Sequence, residues 1–419
     1  MFFKKKSFDV EGASLSRQTW ERFKRNKPAM LGLTMICVAC IISVLGYSIT
    51  PDKTPYANDQ KPELHIKEPG FKANLLLVKR NEVVKDQNIF YKMIFGANDP
   101  YASYTFYNYR FSGADILVEE YTGNMPNHGM KEAFNIADVV YALDRNYPVT
   151  YDSVKNTLTF HELENSTAVT KSVTGLRSEI EQHNLTTKKY LLGTDLLGRD
   201  LLSRLLIGTR ISLGVGLISV IISIFIGIFL GALAGYFRGR IDDMIMWLIN
   251  VVWSIPTLLL VIAITLVLGK GITQVFIAVG LTMWVDVARI VRGQVMSIRE
   301  KEYVEAGRAL GFSNGRIIFR HILPNVMGPV IVMAASNFAS AILTEAGLSF
   351  LGIGAQPPVP SWGEMTNAHH GYILMDKAYL AFIPGMAIML LVLSFMMVGN
   401  GLRDALDTRA LDDKPIAGN

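Results

Sequence analysis

Residues 211–237, ISLGVGLISVIISIFIGIFLGALAGYF, decide the fold, because they run for 27 positions without one charged side chain. A helix needs about 20 apolar residues to cross the hydrocarbon of a bilayer, where exposed backbone groups find no water to bond. This stretch therefore predicts a transmembrane helix. Gly227, Gly231 and Gly235 recur at every fourth position, which places them on one helix face that another helix can approach closely.

Four further stretches lack charged residues in the same way: 28–51, 244–269, 322–344 and 378–402. Each is long enough to span a bilayer as a helix. A sixth candidate, 272–291, is apolar at first and carries Asp286 and Arg289 near its end. We predict an all-α polytopic membrane protein with about six transmembrane helices, in which Pro256 kinks the third by removing a helical hydrogen bond.

The composition supports a membrane protein, since 50% of the 419 residues are hydrophobic and only 18% are charged. A soluble domain carries about 25% charged residues.

The first apolar stretch is too long for a cleaved signal peptide and follows a charged lead. The net charge of +5 does not indicate nucleic acid, because the basic residues flank the apolar stretches. Cys37 and Cys40 lie inside the first span, where we interpret them as small apolar residues.

Basic residues alternate between the connections, and Lys- and Arg-rich connections stay on the cytoplasmic side. Both termini are therefore expected in the cytoplasm. We predict that the chain has four parts. A cytoplasmic amphipathic lead helix at 1–28, with Trp20 and Phe23 at the membrane surface, is followed by a first transmembrane helix at 29–50. An extracytoplasmic α+β insert at 51–190 then precedes a core at 191–419 with five transmembrane helices.

Within the insert, the pattern predicts strands near 75–78, 149–151 and 158–160 and a helix over 172–183. Within the core, a cytoplasmic loop at 296–324 contains SIREKEYVEAGRALGFSNGRIIFRHILPN from Ser297 on. It predicts a helix through Leu310, with Val304 and Leu310 on one side. Gly311 would stop that helix with a positive φ, and Ser313 would cap a second one.

This loop resembles the EAA loop of ABC importer permeases. The resemblance rests on Glu305-Ala306, on Gly311 six residues after the glutamate, and on Leu323-Pro324, while Gly307 stands where alanine is usual. Three more segments are similar to the dipeptide/oligopeptide/nickel permease family: LGTDLLGRDLLSRLLIGTRISL (192–213), EAGLSFLGIGAQPPVPSWGEM (345–365) and PGMAIMLLVLSFMMVGNGLRDALDTR (384–409). The resemblance covers 1–50 and 191–419, and leaves the insert unexplained.

The resemblance implies a type I ABC importer permease fold in the bacterial cytoplasmic (inner) membrane, surrounded by lipid. It implies half of a translocation pathway, completed by a second permease, two ATPases and an external substrate-binding protein. ATP and Mg²⁺ would be used by those ATPases, and this chain would be no enzyme and bind no cofactor or metal. The coupling loop would comprise Glu305, Ala306, Gly307, Gly311, Leu323 and Pro324. Six signature residues are left without a role: Gly193, Asp195, Gly198, Asp200, Glu345 and Trp362.

Peptides are the favoured substrates, while nickel or another small solute remains open, and a membrane-anchored sensor built on the insert is the weaker alternative. We expect Asp195 and Asp200 to cap a short surface helix. For Glu345, at the outer end of a span, a functional role and an interfacial structural role both remain open. Asp286, Arg289 and Arg292 share a helix face and would pair with each other or with another subunit. His369 and His370, beside Glu364, are interpreted as solvated loop residues rather than metal ligands.

Overall fold

The computed structural model describes residues 15–82, 88–123, 125, 128–164, 166–269 and 271–406. The first half of the predicted lead segment, Lys270 and the tail beyond 406 therefore lie outside the described residues. The chain forms two compact units. The helical unit comprises Met1–Ser43 and Gly208–Asn419, and the insert unit comprises Val44–Ile207.

The helices in chain order are α1 (Leu15–Arg25), α2 (Lys27–Leu45), α3 (Ile89–Phe95), α4 (Ile136–Val140), α5 (Val173–Glu179), α6 (Leu201–Phe237), α7 (Gly239–Trp253), α8 (Thr257–Leu268), α9 (Ile272–Arg299), α10 (Glu302–Ala309), α11 (Asn314–Ile317), α12 (Leu323–Phe350), α13 (Trp362–His369) and α14 (Tyr379–Leu406). The strands are β1 (Phe71–Lys79), β2 (Tyr101–Ser112), β3 (Asp115–Glu120), β4 (Lys131–Asn135), β5 (Thr150–Asp152), β6 (Thr157–His161), β7 (Ala168–Ser172) and β8 (Leu185–Tyr190).

Five helical segments among the described residues are long and apolar enough to cross a membrane: Lys27–Ser48, Leu201–Phe237, Ile272–Arg299, Asn314–Phe350 and Tyr379–Leu406. A sixth span would consist of α7 and α8 together, which meet at an angle of 92°. The prediction of a single kinked helix was wrong here. Pro256 stands in extended geometry, with ψ at 124°, and has no amide hydrogen, so the helix ends before it and restarts at Thr257.

The glycine face of α6 packs closely against another helix, as predicted, and the structure identifies that helix as α9. A Cβ built on Gly227 would lie 2.5 Å from the Cβ of Val287, and one on Gly231 would lie 2.5 Å from the Ala288 carbonyl oxygen. At Gly235 the nearest atom would be the Arg292 carbonyl oxygen at 2.7 Å. These distances are shorter than any van der Waals contact, so only glycine allows the two backbones to approach this closely.

The lead helix α1 differs from expectation in what its aromatic residues contact. Trp20 is 45% exposed, whereas Phe23 is 2% exposed and packs with Ala29 and Ala405. Phe23 therefore lies between α2 and the end of α14. Its burial stabilises the docking of α1 on the helical unit.

The insert unit is an α+β structure, which agrees with the predicted fold class. Five antiparallel strands form one sheet in the order β4-β3-β2-β1-β8, and β5, β6 and β7 form a second. The three predicted strands are confirmed as β1, β5 and β6. The predicted helix over 172–183 is α5, followed by a π turn at Ile180–Asn184. Side chains from the strands, α4 and α5 share one core that includes Leu76, Ile116, Ile136, Phe160 and Leu176.

We expect Gly231→Ala to lower the thermal stability of the purified chain. The added methyl group overlaps the backbone of α9, and such overpacking costs about 1–3 kcal/mol. Gly293→Ala is the matched control, because Gly293 lies in α9 with no atom within 4 Å of an added Cβ. There the change should be neutral or stabilising, since alanine favours a helix by about 1 kcal/mol over glycine. Melting curves in detergent compare the two variants, and an equal response would contradict close packing at Gly231.

Candidate coupling site

The segment 300–324, called the bracket below, leaves the end of α9 and returns at the start of α12. Its first predicted helix, expected to run through Leu310, is α10, which is separated from α9 by Glu300 and Lys301. Ser313 caps α11 as predicted, since its Oγ accepts a hydrogen bond from the Arg316 amide at 3.4 Å. A π turn, Ile318–Ile322, then leads into α12.

Gly311 ends α10 with a φ of +76°, the left-handed geometry expected from the sequence. Its amide donates to the Arg308 carbonyl at 2.9 Å, and the Phe312 amide donates to the Gly307 carbonyl at 3.1 Å. These two bonds form a Schellman motif, which satisfies the last carbonyls of the helix. A Cβ at Gly311 would meet no atom of this chain within 4 Å, so the turn is sterically open on that side.

One face of the bracket is buried and the other is open. Val304 is 1% exposed and joins Ile317 and Ile322 in a cluster with valines of α9. Leu310 is 73% exposed and Phe319 is 72% exposed. The prediction that Val304 and Leu310 share a side was wrong, because six helical residues turn through about 600°, which leaves the two side chains about 120° apart around the helix axis.

Tyr236, near the end of α6, anchors the bracket. Its hydroxyl donates to Asn314 Oδ1 at 2.8 Å, and its ring lies under the guanidinium groups of Arg299 and Arg308 at 5.7 and 5.2 Å. Nearby, the Arg238 guanidinium bonds to Glu300 and holds the pKa of that carboxyl below its usual range. These contacts join α6, α9 and both helices of the bracket, and Tyr236 was not singled out from the sequence.

The predicted loop residues divide between the two faces of the bracket. Glu305, Ala306, Gly311 and Pro324 are exposed, whereas Gly307 is buried and Leu323 is half-buried. Leu310 and Phe319 add large apolar side chains to these exposed residues, beside the charged groups of Glu305, Arg308 and Arg320. Such a patch of large apolar side chains beside polar groups is typical of a protein contact surface.

The signature residues at 193–200 form a buried loop in the insert unit. Asp195 is fully buried and accepts hydrogen bonds from the amides of Leu197 and Arg199 at 2.9 Å and from Arg199 Nε at 2.7 Å. Arg204 Nε lies 3.5 Å from the same carboxylate. Gly193 and Gly198 take positive φ values of 79° and 70° against the backbone of residues 61–68.

The prediction that Asp195 and Asp200 cap a short surface helix was therefore wrong. Both are buried, and the stretch between them is a loop held by the Asp195–Arg199 ion pair. Asp200 instead precedes α6 and accepts from the Ser203 amide at 2.9 Å. The Ser203 hydroxyl in turn accepts from the Asp52 amide at 2.9 Å, which ties the start of α6 to the segment after α2.

Glu345 and Trp362 lie together at the end of α12. The Glu345 side chain is 1% exposed and accepts from the Ser349 hydroxyl at 2.7 Å, and that hydroxyl accepts from the Ala355 amide at 3.0 Å. Trp362 is 4% exposed at the start of α13. The next residue, Gly363, approaches so closely that a Cβ there would lie 2.5 Å from the Ala346 carbonyl oxygen. The carboxylate thus lies where the chain folds back onto α12.

Charged residues of α9 bond to α7 rather than to each other. Arg292 forms a bidentate ion pair with Asp242 at 2.5 and 2.6 Å. Arg289 donates to Asn250 at 3.1 Å and stacks on Trp253 at 4.0 Å. Asp286 is exposed. The expected pairing within the group was wrong, because residues three apart on α9 point toward a neighbouring helix that carries its own acid.

His369 and His370 belong to helical segments rather than to a loop. His369 is 2% exposed, and its Nδ1 lies 2.6 Å from the Met365 carbonyl oxygen, while His370 is exposed. The expectation of two solvated histidines was therefore wrong for His369. Among the described residues, no group of three or more His, Cys, Asp or Glu side chains is arranged to hold a metal ion.

Comparison with known proteins gives two family matches. Residues 227–412 match the family described as the binding-protein-dependent transport system inner membrane component. Residues 14–67 match the N-terminal TM domain of oligopeptide transport permease C. The second match includes α1 and α2, so sequence relatives share the lead helix and the first span.

Three relatives illustrate the similarity. A dipeptide transport system permease protein of Alkalihalophilus pseudofirmus is 42% identical over 221 residues, which cover 53% of this chain and 72% of the relative. A glutathione transport system permease protein of Pectobacterium atrosepticum is 43% identical, covering 52% of this chain and 73% of that one. An oligopeptide transport system permease protein of Bacillus subtilis is 40% identical, covering 53% and 73%.

We expect Asp195→Asn to destabilise the chain by about 3 kcal/mol, because it leaves Arg199 and Arg204 buried without their shared carboxylate. Glu181→Gln is the control, since it makes the same carboxylate-to-amide change at an exposed site of the insert unit. Thermal unfolding in detergent should show a lower melting temperature for the first variant and no shift for the second. Unchanged melting of Asp195→Asn would mean that the ion pairs contribute little.

Proposed function

This chain belongs to the family of inner membrane components of binding-protein-dependent transport systems, as a permease subunit of an ATP-driven ABC importer, and from that premise we propose that it imports di- and oligopeptides. The observation that carries the substrate class is the naming of its relatives for dipeptides, oligopeptides and glutathione, itself a tripeptide. These matches extend over more than 70% of each relative.

The working transporter contains this chain, a second related permease, two ATPase subunits and an external binding protein. No segment of the sequence has the pattern GxxxxGK[ST], the phosphate cradle of many ATPases, so ATP must be bound by another subunit. Each permease then forms half of the pathway. The partners supply the nucleotide chemistry and the delivery of substrate, and this chain contributes the spans and the contact that links them.

The bracket is the contact with an ATPase subunit. Its open face offers Leu310, Phe319 and Glu305 to a partner, while its buried face is fixed on α6 and α9 through Tyr236 and Val304. A movement of the ATPase can be transmitted to the spans only through a segment that takes different positions in two states of the transporter. A bracket bonded to two long spans is suited to transmit such a displacement, because it cannot move without them.

The orientation follows from the charge distribution. Lys- and Arg-rich connections, including the bracket, lie in the cytoplasm with both termini, and the insert unit lies on the opposite side. This arrangement puts the bracket where ATP is available. It also puts the insert unit on the side where a binding protein delivers substrate.

Uptake assays with the complex purified together with its native partners test the substrate class. In proteoliposomes, we expect ATP-dependent accumulation of a radiolabelled tripeptide that unlabelled dipeptides and oligopeptides reduce by competition. Omission of the binding protein should abolish it. Accumulation of Ni²⁺ without any peptide uptake would contradict the peptide proposal and favour a metal importer.

Single cysteines at Lys155 and Lys301, in a chain with Cys37→Ala and Cys40→Ala, test the orientation. Both positions are exposed. An impermeant thiol reagent added to intact cells should label Lys155→Cys and should reach Lys301→Cys only after the membrane is opened. The reverse pattern would overturn the proposed topology.

Gly311→Val should leave the complex assembled but largely abolish substrate-stimulated ATP hydrolysis and uptake. A β-branched residue at a φ of +76° costs about 1–3 kcal/mol and distorts the turn between α10 and α11. Glu305→Ala should be milder, because alanine keeps the helix and removes one exposed carboxylate.

Gly311→Asn is the matched control for this variant, since asparagine tolerates positive φ far better than valine. It should retain most of the coupled activity. ATPase rates are normalised to the amount of assembled complex in the same sample. Normal stimulated hydrolysis per complex in Gly311→Val would end the claim that this turn transmits the coupling.

A further inference from the structure

The helix α3 of the insert unit is apolar and open to its surroundings. It has the sequence IFYKMIF, and none of its seven residues is buried. Ile89 is 78% exposed, Phe90 69%, Tyr91 47% and Phe95 58%. Soluble domains seldom leave so many large apolar side chains exposed side by side.

The position of α3 is fixed by its contacts with the chain that follows the first span. The helix packs against the 3-10 turn Gly46–Ser48. The Ala97 amide donates to the Lys53 carbonyl at 2.9 Å, and a Cβ on Gly96 would lie 2.9 Å from the same oxygen. Because Gly96 takes a φ of +83°, the chain turns sharply there and holds the end of α3 against residues 53–55.

From the length of α2, we infer that the turn Gly46–Ser48 lies at a boundary of the bilayer. The 19 residues of α2 span about 28 Å at about 1.5 Å per residue, close to the about 30 Å of the hydrocarbon core. The turn Gly46–Ser48 follows directly, and the first charged residues after it are Asp52 and Lys53. Leu45 and Ile49, on either side of the turn, are 38% and 42% exposed, so apolar surface continues from the span toward α3.

We propose that α3 lies in the headgroup region of the membrane, parallel to its surface, with Ile89, Phe90 and Phe95 inserted among phospholipid acyl chains. With seven residues the helix is far too short to cross the bilayer, which needs about 20. Aromatic side chains are enriched at this depth, and Tyr91 and Phe95 contribute two rings whose centroids are 4.9 Å apart. The insert unit thereby has a second membrane contact beside the first span, independent of any role in peptide import.

Spin labels on the full chain test this contact in nanodiscs of phosphatidylcholine and phosphatidylglycerol. In a chain with Cys37→Ala and Cys40→Ala, one label is placed by Phe90→Cys. Ile41→Cys, 57% exposed in α2, is the reference for lipid, and Val154→Cys, 94% exposed in the insert unit, is the reference for water. Collision rates with oxygen, which partitions into lipid, are compared with those of a water-soluble nickel chelate.

We expect the label at position 90 to collide more with oxygen than with the chelate, as at position 41, whereas the label at position 154 shows the reverse ratio. A ratio at position 90 like that at 154 would mean that α3 faces water. A label shielded from both reagents would mean that α3 is covered by protein rather than by lipid. Either result overturns the proposal. Phe95→Cys supplies a second label if Phe90→Cys does not fold, and tripeptide uptake is measured separately, so that loss of transport and loss of lipid contact are distinguished.

Discussion

In the helical unit, the glycine face of α6 lets the backbone of α9 come into direct contact, because Gly227, Gly231 and Gly235 carry no Cβ at the crossing. In a bilayer, apolar burial between helices gives little drive, so close van der Waals packing of this kind holds spans together. The crossing fixes the end of α6 beside α9. Tyr236 follows the last of the three glycines by one residue, and its hydroxyl reaches Asn314 of the bracket because α6 and α9 end side by side.

Hydrogen bonds and an ion pair between helices add to this packing, and the ion pair places its two charges next to each other. The Ser219 hydroxyl donates to the Phe276 carbonyl at 2.9 Å and joins α6 to α9, and the Arg292–Asp242 pair joins α9 to α7. Bidentate bonding of a guanidinium to a carboxylate compensates for the loss of water around both groups. The bracket therefore extends from a set of helices that are fixed to one another by backbone contact, hydrogen bonds and one ion pair.

The sequence was sufficient to predict features that depend only on residues close together in the chain. Charge-free stretches predicted the spans, the spacing of the glycines predicted a face for close helix packing without identifying α9 as the partner, and Gly311 and Ser313 predicted the two helix ends of the bracket. The sequence was insufficient for features that depend on contacts with residues far away in the chain. From the sequence, Asp195 was predicted to cap a surface helix, because nothing in the sequence marks Arg199 and Arg204 as its ion-pair partners. Only the fold shows that all three side chains are buried. Tyr236 carried no local signal, and the right-angled break at Pro256 depends on how α7 and α8 pack.

The central claim is that the open face of the bracket contacts an ATPase subunit. A photoreactive benzoylphenylalanine at Leu310, in the complex purified with its partners, tests it directly, because this side chain is 73% exposed and lies next to the turn at Gly311. After illumination, mass spectrometry identifies the polypeptide joined to position 310. The account predicts an adduct with the ATP-binding subunit. An intact complex whose only adducts at that position are with lipid or with this chain itself would contradict it.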